Sequence, residues 1–471
     1  MSSGYRAKRR VNETPRAVAL EVLEAVRTRD AYANLVLPKR LRDAKLSGRD
    51  AGLATELTYG TLRLQGRYDA IIASCVDRPL EELDPVVLNL LRLGAHQLLE
   101  LNIPPHAAVA ETVDLARQYA TTGPAQLVNA VLRRISEKDL EDWLDLVTQG
   151  LPDEAAYSMA YSHPRWIAQA LSDALVASGR ERSDLPQVLQ ANNEAPLVTL
   201  CARPGMITQE QLADQAEDYL GARTAYGKLS PHSVILSGGD PGRIPAVRLG
   251  LAGVEDEGSQ LVALLLAQVR LQGPEHLWLD LCAGPGGKAA LLGAIAAQRG
   301  VRLLANELIE HRAELVARTT EALAKTVDIR CGDGVDLAQA QPGSADRVLV
   351  DAPCTGLGAL RRRPEARWRK TPTDLGTLAS SQRDLLDAGY TLLRPGGVVA
   401  YVTCSPHLGE TRGVVDDFLR KNPEAELLDA ASIATDIATP LGGGVFDGPY
   451  LQLWPDRDEC DAMFATLIAK P

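Results

Sequence analysis

From about residue 255 onward, the chain alternates apolar strand-like runs with longer amphipathic segments of helical spacing. Such alternation is typical of parallel strands, because two parallel strands need a crossover connection, usually a helix, between them. The sequence therefore predicts a parallel sheet whose two faces are covered by helices. The runs that predict strands are, in order, HLWLDLC, VRLLANE, VDIRCGD, DRVLVDAP, GGVVAYVTCS and AMFATLIAK.

The N-terminal third carries a different pattern, with helical periodicity and short connections. Thr14 and Pro15 form a helix start, a capping hydroxyl followed by proline at the first helical position. Further helices are predicted at Pro85, in HAAVAETVDLARQYA and in QLVNAVLRRI. Residues 14–148 are therefore predicted to form a compact helical bundle. Residues 155–250 mix short strand and helix patterns, which predicts a small α/β connector.

Length, charge and cysteine usage restrict the class of protein. The chain of 471 residues is too long for one hydrophobic core and predicts several domains. A net charge of -11 argues against a surface coated for nucleic acid, while leaving room for a local basic groove. The seven cysteines are scattered, without CxxC pairs or zinc spacing, so neither a disulfide framework nor a metal site is predicted.

The N-terminal residues and the length of the apolar runs indicate where in the cell the protein is expected. The first residues are polar and basic, with a cluster at residues 8–10, and lack the apolar core of a signal peptide. No apolar run approaches the roughly 18 residues that a membrane span requires. The sequence therefore predicts a cytoplasmic protein without a membrane partner.

The ends of the first three predicted strands of the C-terminal domain carry residues suited to a nucleoside. The first ends in LDLCAGPGGK, where Gly284, Gly286 and Gly287 permit a tight turn and close approach of a ligand at a helix N-terminus. The second ends in Glu307, which suits ribose hydroxyls, and Asp333 after the third suits an adenine amino group. The turn lacks the GxGxxG pattern of dinucleotide sites. These features suit S-adenosylmethionine; the alternatives are another nucleotide or loops of purely structural role.

Two cysteines follow the next two strands. Cys354 lies in DAPCTGLG and Cys404 in YVTCSP, so neighbouring strands would bring both thiols to one pocket, where the methyl group of the cofactor is expected. A single cysteine is more often a small buried residue. Two cysteines at adjacent strand ends indicate a catalytic role. A thiolate is a strong nucleophile when a positive group such as Lys288 lowers the pKa of the thiol.

A thiolate beside a methyl donor predicts methylation of a pyrimidine at carbon 5. That carbon is not nucleophilic enough to take a methyl group until a thiolate adds to carbon 6 and makes it enamine-like. After methyl transfer, a base removes the proton from carbon 5 and the thiol leaves. Asp351 is the candidate to hold or protonate the ring at nitrogen 3.

The motifs DAPCTGLG, VTCSP and LCAGPGGK resemble those of the RNA 5-methylcytosine methyltransferases. The resemblance implies a Rossmann-like class I methyltransferase domain over residues 251–471, with a mostly parallel seven-stranded sheet and S-adenosylmethionine as cofactor. It implies that Cys404 is the nucleophile and that Cys354 assists release of the product. The predicted cofactor and base contacts are Cys282, Ala283, Gly284, Pro285, Gly286, Gly287, Lys288, Glu307, Asp333 and Asp351.

The N-terminal segments YGTLR, LRLGAHQLL and LVNAVLRRI resemble the NusB-like RNA-binding domain of the RsmB/Sun branch, and SHPRW is similar to its connector. This resemblance covers nearly the whole chain and implies 16S ribosomal RNA as substrate. Two departures stand out. Thr355 replaces the usual serine, and Glu410 is followed by Thr411 and Arg412 where the family usually has E-N-E, which leaves the start of the next helix open.

The segment RRRPEARWRK, residues 361–370, has five arginines, one lysine and one glutamate, a local net charge of +5. Basic residues around Trp368 predict phosphate contacts and base stacking, and the alternative is a solvated loop.

Two further hypotheses for the whole chain are the same chemistry on transfer RNA, and a NusB-like RNA-binding factor without catalysis. The sequence predicts a monomer that holds no metal.

Overall fold

The structure is a computed structural model that describes residues 13–101, 103–119, 122–438 and 448–471, so the basic cluster at residues 8–10 lies outside the described residues. The chain forms two compact units. The first comprises the described residues up to Gln169 together with Ser183–Glu194 and Leu360–Arg369. The second comprises Ala170–Arg182, Ala195–Ala359 and the described residues from Lys370 onward. The domain boundaries predicted from the sequence, 14–148, 155–250 and 251–471, remain predictions.

The described elements follow the order that the sequence indicates, with helices first and then a mixture of strands and helices. The helices are α1 (Pro15–Arg29), α2 (Ala33–Asp43), α3 (Gly48–Arg63), α4 (Gln65–Ala73), α5 (Pro85–Leu99), α6 (Pro105–Tyr119), α7 (Thr122–Ile135), α8 (Leu140–Thr148), α9 (Asp153–Ala160), α10 (Arg165–Ala177), α11 (Leu185–Ala191), α12 (Gln209–Leu220), α13 (Pro245–Arg248), α14 (Glu257–Gln268), α15 (Gly287–Arg299), α16 (Glu310–Thr319), α17 (Gly334–Ala340), α18 (Ala366–Arg369), α19 (Pro372–Leu392), α20 (Arg412–Lys421), α21 (Ala430–Ile437) and α22 (Pro455–Asp458). The strands are β1 (Val198–Ala202), β2 (Thr224–Tyr226), β3 (Ser233–Leu236), β4 (Ala252–Val254), β5 (Leu277–Asp280), β6 (Arg302–Glu307), β7 (Val327–Cys331), β8 (Ala345–Asp351), β9 (Leu393–Thr403), β10 (Glu426–Leu427), β11 (Tyr450–Gln452) and β12 (Phe464–Ala469).

The first unit is helical, as predicted. Helix α1 begins where the Thr14 hydroxyl accepts a hydrogen bond from the Ala17 amide at 3.2 Å and Pro15 occupies the first position. Helix α5 likewise begins with proline after an aspartate cap. The apolar faces of these helices share one core. Fully buried members of that core include Leu20, Leu57, Ile71, Leu90 and Leu132.

The basic segment 361–370 was predicted to face RNA, and for part of the segment the structure shows that this is wrong. The Arg367 side chain, in α18, is fully buried within the first unit. Its guanidinium donates to the carbonyl oxygens of Arg63 (2.8 Å), Ser162 (3.2 Å) and Asn192 (2.7 Å), and to the side chain of Asn193 (2.7 Å). Arginine suits this site because its donors form a planar fork.

The rest of the basic segment is divided between interior and surface. Arg361 is also buried, whereas Arg363 and Trp368 are exposed, the latter at 38%. The guanidiniums of Arg363 and Arg369 lie 5.3 and 5.1 Å from the ring centroid of Tyr32, at cation–π distance. The surface that remains to meet RNA is therefore smaller than the segment's net charge of +5 suggests.

The second unit contains the predicted sheet. Seven strands follow the order β10-β12-β9-β8-β5-β6-β7, and β11 pairs with β12 as an eighth strand. Strands β7, β6, β5, β8 and β9 run parallel to one another, and β12 is antiparallel to β9. The mostly parallel seven-strand path is thereby confirmed. The central strands are buried on both faces, which explains their continuously apolar sequences.

The predicted α/β connector is a separate antiparallel sheet of order β2-β3-β1-β4. Its strands lie against α12, which begins with a reciprocal capping pair between Thr208 and Gln211. The core between sheet and helix is small. It is built around Leu200, Leu212, Val234 and Ile244.

Replacing Arg367 by alanine should destabilise the first unit. The change leaves several buried carbonyl oxygens without a donor, and each such loss costs about 1–3 kcal/mol. We expect Arg367→Ala to lower the free energy of unfolding by about 3 kcal/mol or more on this basis. Urea and thermal unfolding of the full chain measure the change, with the exposed Arg49→Ala as the control. Equal stability of Arg367→Ala and wild type would contradict the structural role.

Candidate active site

The glycine-rich turn between β5 and α15 is held against the end of β6. The Gly284 amide donates to Glu307 Oε2 at 3.0 Å, and Arg312 donates to the Gly284 carbonyl at 2.7 Å. A Cβ atom at Gly284 would lie 2.4 Å from Glu307 Oε2, so a side chain there would displace the carboxylate. The Ala283 amide donates to the Asn306 carbonyl at 2.9 Å, which adds a backbone link to the same strand.

The rest of the turn leads directly into α15. Gly286 has φ of 109°, in the left-handed region that favours glycine, and a Cβ there would lie 3.1 Å from Val316 Cα. The carbonyl of Pro285 accepts from the Thr319 hydroxyl at 3.1 Å, and Cys282 is partly buried against the core beneath the turn. Helix α15 begins at Gly287, so the turn places a helix N-terminus at the carboxyl end of the sheet.

The two predicted nucleoside acids lie at the same edge of the sheet. Strands β6 and β7 are neighbours, with Glu307 opposite Cys331. Glu307 is 3% exposed and accepts from the amides of Gly284 and Ile309. Asp333 is exposed and accepts from the Val335 amide at 2.8 Å, which makes it the N-cap of α17. Both acids therefore lie where ligands of parallel sheets bind.

Lys288 and Asp351 form an ion pair between the turn and the end of β8. Lys288 Nζ lies 2.8 Å from Asp351 Oδ2 and 3.4 Å from the Ser259 hydroxyl. Burial alone would lower the pKa of Lys288, but the negative charges of Asp351 and Glu255 outweigh burial and raise it. The lysine therefore keeps its positive charge at neutral pH.

Two further carboxyl groups, which the sequence analysis did not select, lie beside this pair. Asp280, the last residue of β5, is 1% exposed, and its Oδ1 has no hydrogen-bond partner among the described residues. The same holds for Oε1 of Glu255, in the segment VEDEGSQL. Burial raises the pKa of Asp280 to about 8 and that of Glu255 to about 7. The position of Asp280 at a strand end was the available sequence signal.

These residues fit S-adenosylmethionine. The turn at Gly284 and Gly287 has no side chains to block a ligand, and Cβ atoms there would crowd the carboxylates of Glu307 and Glu255. The unpartnered oxygens of Asp280 and Glu255 suit a ligand that carries positive charge, because a buried carboxylate is stable only when it is paired. The cofactor has both a sulfonium and an ammonium group.

The two cysteines predicted to act together are in contact. Cys354 Sγ lies 3.4 Å from Cys404 Sγ, and both side chains are partly exposed. Their strands β8 and β9 pair in parallel, with Asp351 opposite Val402. The hydrogen bond with Cys404, followed by burial, raises the pKa of the Cys354 thiol well above its usual value. Cys354 therefore keeps its proton.

A buried carboxylate joins the segments that follow the two thiols. Glu410 is 0% exposed, and its Oε1 accepts from the Thr355 amide at 2.8 Å. Its Oε2 accepts from the hydroxyls of Thr355 (2.5 Å) and Ser405 (2.6 Å). The family resemblance identifies Glu410 only as the retained acid of the E-N-E run. Helix α20 begins at Arg412, so Glu410 lies in the preceding turn with its carboxylate directed inward.

A backbone contact joins the same two loops. The Gly358 amide donates to the Cys404 carbonyl at 2.9 Å, and the Gly358 carbonyl accepts from the Ala462 amide at 2.9 Å. A Cβ at Gly358 would lie 2.0 Å from the Ala462 carbonyl oxygen, so this approach requires glycine. The loops are therefore fixed by backbone as well as side-chain contacts.

Two kinds of feature are absent from the described parts of the chain. Within residues 13–101, 103–119, 122–438 and 448–471, no group of three or more His, Cys, Asp or Glu side chains could hold a metal ion. No helix in those ranges is long and apolar enough to cross a membrane.

The chain matches two protein families. Residues 267–469 match the family described as 16S rRNA methyltransferase RsmB/F, and residues 13–137 match the NusB family. A protein of Mycobacterium tuberculosis, Rv1407, provisionally named a methyltransferase, is 48% identical over 98% of both chains. Ribosomal RNA small subunit methyltransferase B of Shewanella oneidensis is 30% identical over 88% of this chain and 91% of its own.

Solved structures share the fold. The crystal structure of PH0851 superposes with a TM-score of 0.77 at 20% identity, covering 98% of this chain and all of its own. NSun6 from Pyrococcus horikoshii, solved with SFG, has a TM-score of 0.54 at 16% identity and covers 65% of this chain and 98% of its own. The family matches, the near full-length relatives and the site agree, and the chain belongs to the RsmB/F family as an S-adenosylmethionine-dependent RNA cytosine-5 methyltransferase.

Proposed function

We propose that this enzyme methylates carbon 5 of a cytosine in 16S ribosomal RNA through a covalent bond between Cys404 and carbon 6. The observation that carries the proposal is the contact of two thiols, 3.4 Å apart, at neighbouring strand ends. The ion pair of Lys288 and Asp351 joins the glycine-rich turn to the end of β8, the strand that Cys354 follows. The choice of 16S RNA is supported by the NusB match and by the name of the Shewanella relative.

The proposed reaction begins at the Cys404 sulfur. As thiolate it adds to carbon 6 of the cytosine, and nitrogen 3 takes up a proton through Asp351, which neutralises the charge that the addition places on the ring. The bound cofactor supplies the methyl group that carbon 5 then takes. Loss of the proton from carbon 5 to a base restores the double bond and expels Cys404 as thiolate. Cys354, which keeps its proton, donates a hydrogen bond to that departing thiolate and so assists release.

The cofactor contacts in this proposal are those of the sequence analysis. The turn formed by Cys282, Ala283, Gly284, Pro285, Gly286 and Gly287 meets the cofactor together with Lys288, Glu307, Asp333 and Asp351. Residues 14–148 are proposed to bind RNA, residues 155–250 to act as connector and residues 251–471 to catalyse, in a cytoplasmic monomer. The cytosine must leave its stack to reach Cys404.

The first prediction concerns the substrate. Labelled S-adenosylmethionine and the full-length enzyme should yield one 5-methylcytosine in unmodified 16S RNA, mapped at nucleotide resolution. Unmodified transfer RNA is the matched control. Label in transfer RNA alone would retain the Cys404 chemistry and refute the 16S assignment. Label in neither RNA nor in small-subunit assembly intermediates would favour the non-catalytic RNA-binding hypothesis.

The second prediction separates the roles of the two thiols. Cys404→Ala should abolish turnover, because the bond to carbon 6 needs its sulfur and the neighbouring Cys354, whose pKa is raised, keeps its proton. Cys354→Ala should accumulate a covalent enzyme–RNA adduct, visible as a band of reduced mobility in a denaturing gel. The exposed Cys331→Ala serves as control. An active Cys404→Ala enzyme would refute the nucleophile assignment.

The third prediction concerns pH. At pH 7 Asp280, with a pKa of about 8, is mostly protonated, and Glu255, with a pKa of about 7, is half protonated. A cationic ligand stabilises the charged carboxylates and lowers both pKa values, so binding of S-adenosylmethionine releases protons. Affinity should rise between pH 6 and 8 by up to about tenfold per unit for each proton released.

Titration calorimetry in buffers of different ionisation heats measures this proton release. Asp280→Asn combined with Glu255→Gln should remove most of it, since neither amide titrates. Proton uptake by the wild-type enzyme at pH 7, or affinity independent of pH, would show that these two carboxyl groups do not face the charge of the ligand.

A further inference from the structure

We propose that Glu410 is a positioning residue, whose carboxylate sets the separation of the loops that carry Cys354 and Cys404. This inference rests on the proposed function, because it assigns the two thiols to one reaction. Its structural basis is the placement of the partners. Thr355 directly follows one cysteine and Ser405 directly follows the other, and both bind the same carboxylate.

All the donors to this carboxylate are uncharged. They are the amide and hydroxyl of Thr355, the hydroxyl of Ser405 and the side-chain amide of Gln382, the last at 3.1 Å. Two donors meet each of the two carboxylate oxygens, the Thr355 amide and Gln382 at Oε1 and the two hydroxyls at Oε2. The position of Glu410 is therefore defined in all directions.

The frame around Glu410 is rigid as well. Its carbonyl accepts from the Tyr401 hydroxyl at 2.7 Å, which ties the turn to β9. Gln382, from α19, also donates to the Pro353 carbonyl at 2.8 Å. Cys354 is thus held by the residue before it and the residue after it, and both contacts lead to Glu410.

These contacts matter because the proposed reaction needs the two sulfur atoms at a fixed separation. A displacement of about 1 Å at a reacting group can reduce a rate on the order of 10²-fold. Glutamine at position 410 has the same shape but only one acceptor oxygen. If that oxygen accepts from the two hydroxyls at the Oε2 position, its NH2 group faces the donors of Thr355 and Gln382 at the Oε1 position, where no acceptor remains. Loss of the carboxylate should let the thiols move relative to each other while the cofactor turn, which has its own contacts, stays in place.

The decisive variants are Glu410→Gln and Thr355→Val, each made in the full chain, with Thr355→Ser as the conservative rescue. We expect Glu410→Gln to reduce kcat on the order of 10²-fold, with the KM for RNA and the Kd for S-adenosylmethionine near wild type. Thr355→Val should likewise reduce kcat while KM and Kd stay near wild type, and Thr355→Ser, which keeps the hydroxyl, should restore activity. The double variant should be no worse than Glu410→Gln alone, because the two residues act as one unit.

A second readout is independent of methyl transfer. The thiol oxidant diamide takes two electrons and two protons from Cys354 and Cys404, so that a disulfide forms and diamide becomes the hydrazine. The loss of two hydrogens is followed by mass spectrometry of the peptides. In Glu410→Gln and Thr355→Val, cross-linking should be slower, on the order of tenfold, because the effective concentration of one thiol at the other falls.

The matched control is Glu424→Gln, which removes the same charge from an exposed position. Wild-type cross-linking rates in both Glu410→Gln and Thr355→Val would overturn the positioning role, whatever the activity. A wild-type enzyme that cross-links rapidly but methylates no RNA would refute the proposed function and leave the role of Glu410 in loop geometry supported. If Glu410→Gln fails to fold, Thr355→Val alone decides.

Discussion

The parallel pairing of β8 with β9 is the constraint on which the active site depends. The ladder sets Val350 opposite Tyr401 and Asp351 opposite Val402, so the two strands end side by side. Both strands are buried, and a register shift of one residue would turn every side chain to the opposite face of the sheet. The core therefore fixes the register, and the register brings Cys354 and Cys404 together. The sheet brings the two cysteines close together, and the contacts of Glu410 and Gly358 then fix the loops that carry them.

Features that follow from local pattern and sheet topology could be predicted from the sequence. The alternation of strands and helices is a local signal, and ligands of parallel sheets bind at one edge, so Glu307, Asp333 and both cysteines could be assigned to one place. Glu410 could not be selected on the same grounds, and for Asp280 the strand-end position alone did not reveal its role. Their importance depends on which donors surround a carboxylate, and donor geometry is a property of packing that residue order does not reveal.

The sequence also does not show whether a charged side chain is buried or exposed. The basic segment gave a net charge of +5, but Arg367 serves the interior of the helical unit. Its acceptors include the carbonyl of Arg63, from YGTLR, and that of Ser162, from SHPRW. Three stretches far apart in sequence thus meet around one guanidinium. The two motifs that suggested a family resemblance share a structural role here, and the count of basic residues overstated the surface available to RNA.

The groups around the two thiols determine which of them keeps its proton. Two thiolates 3.4 Å apart would repel each other, so at least one of the two sulfur atoms keeps its proton. The hydrogen bond with Cys404 and burial keep the proton on Cys354, and the negative charges of Glu410 and Asp351 act in the same direction. Cys354 is thus the thiol that keeps its proton, and the proposed reaction uses the other sulfur, that of Cys404, for attack on carbon 6.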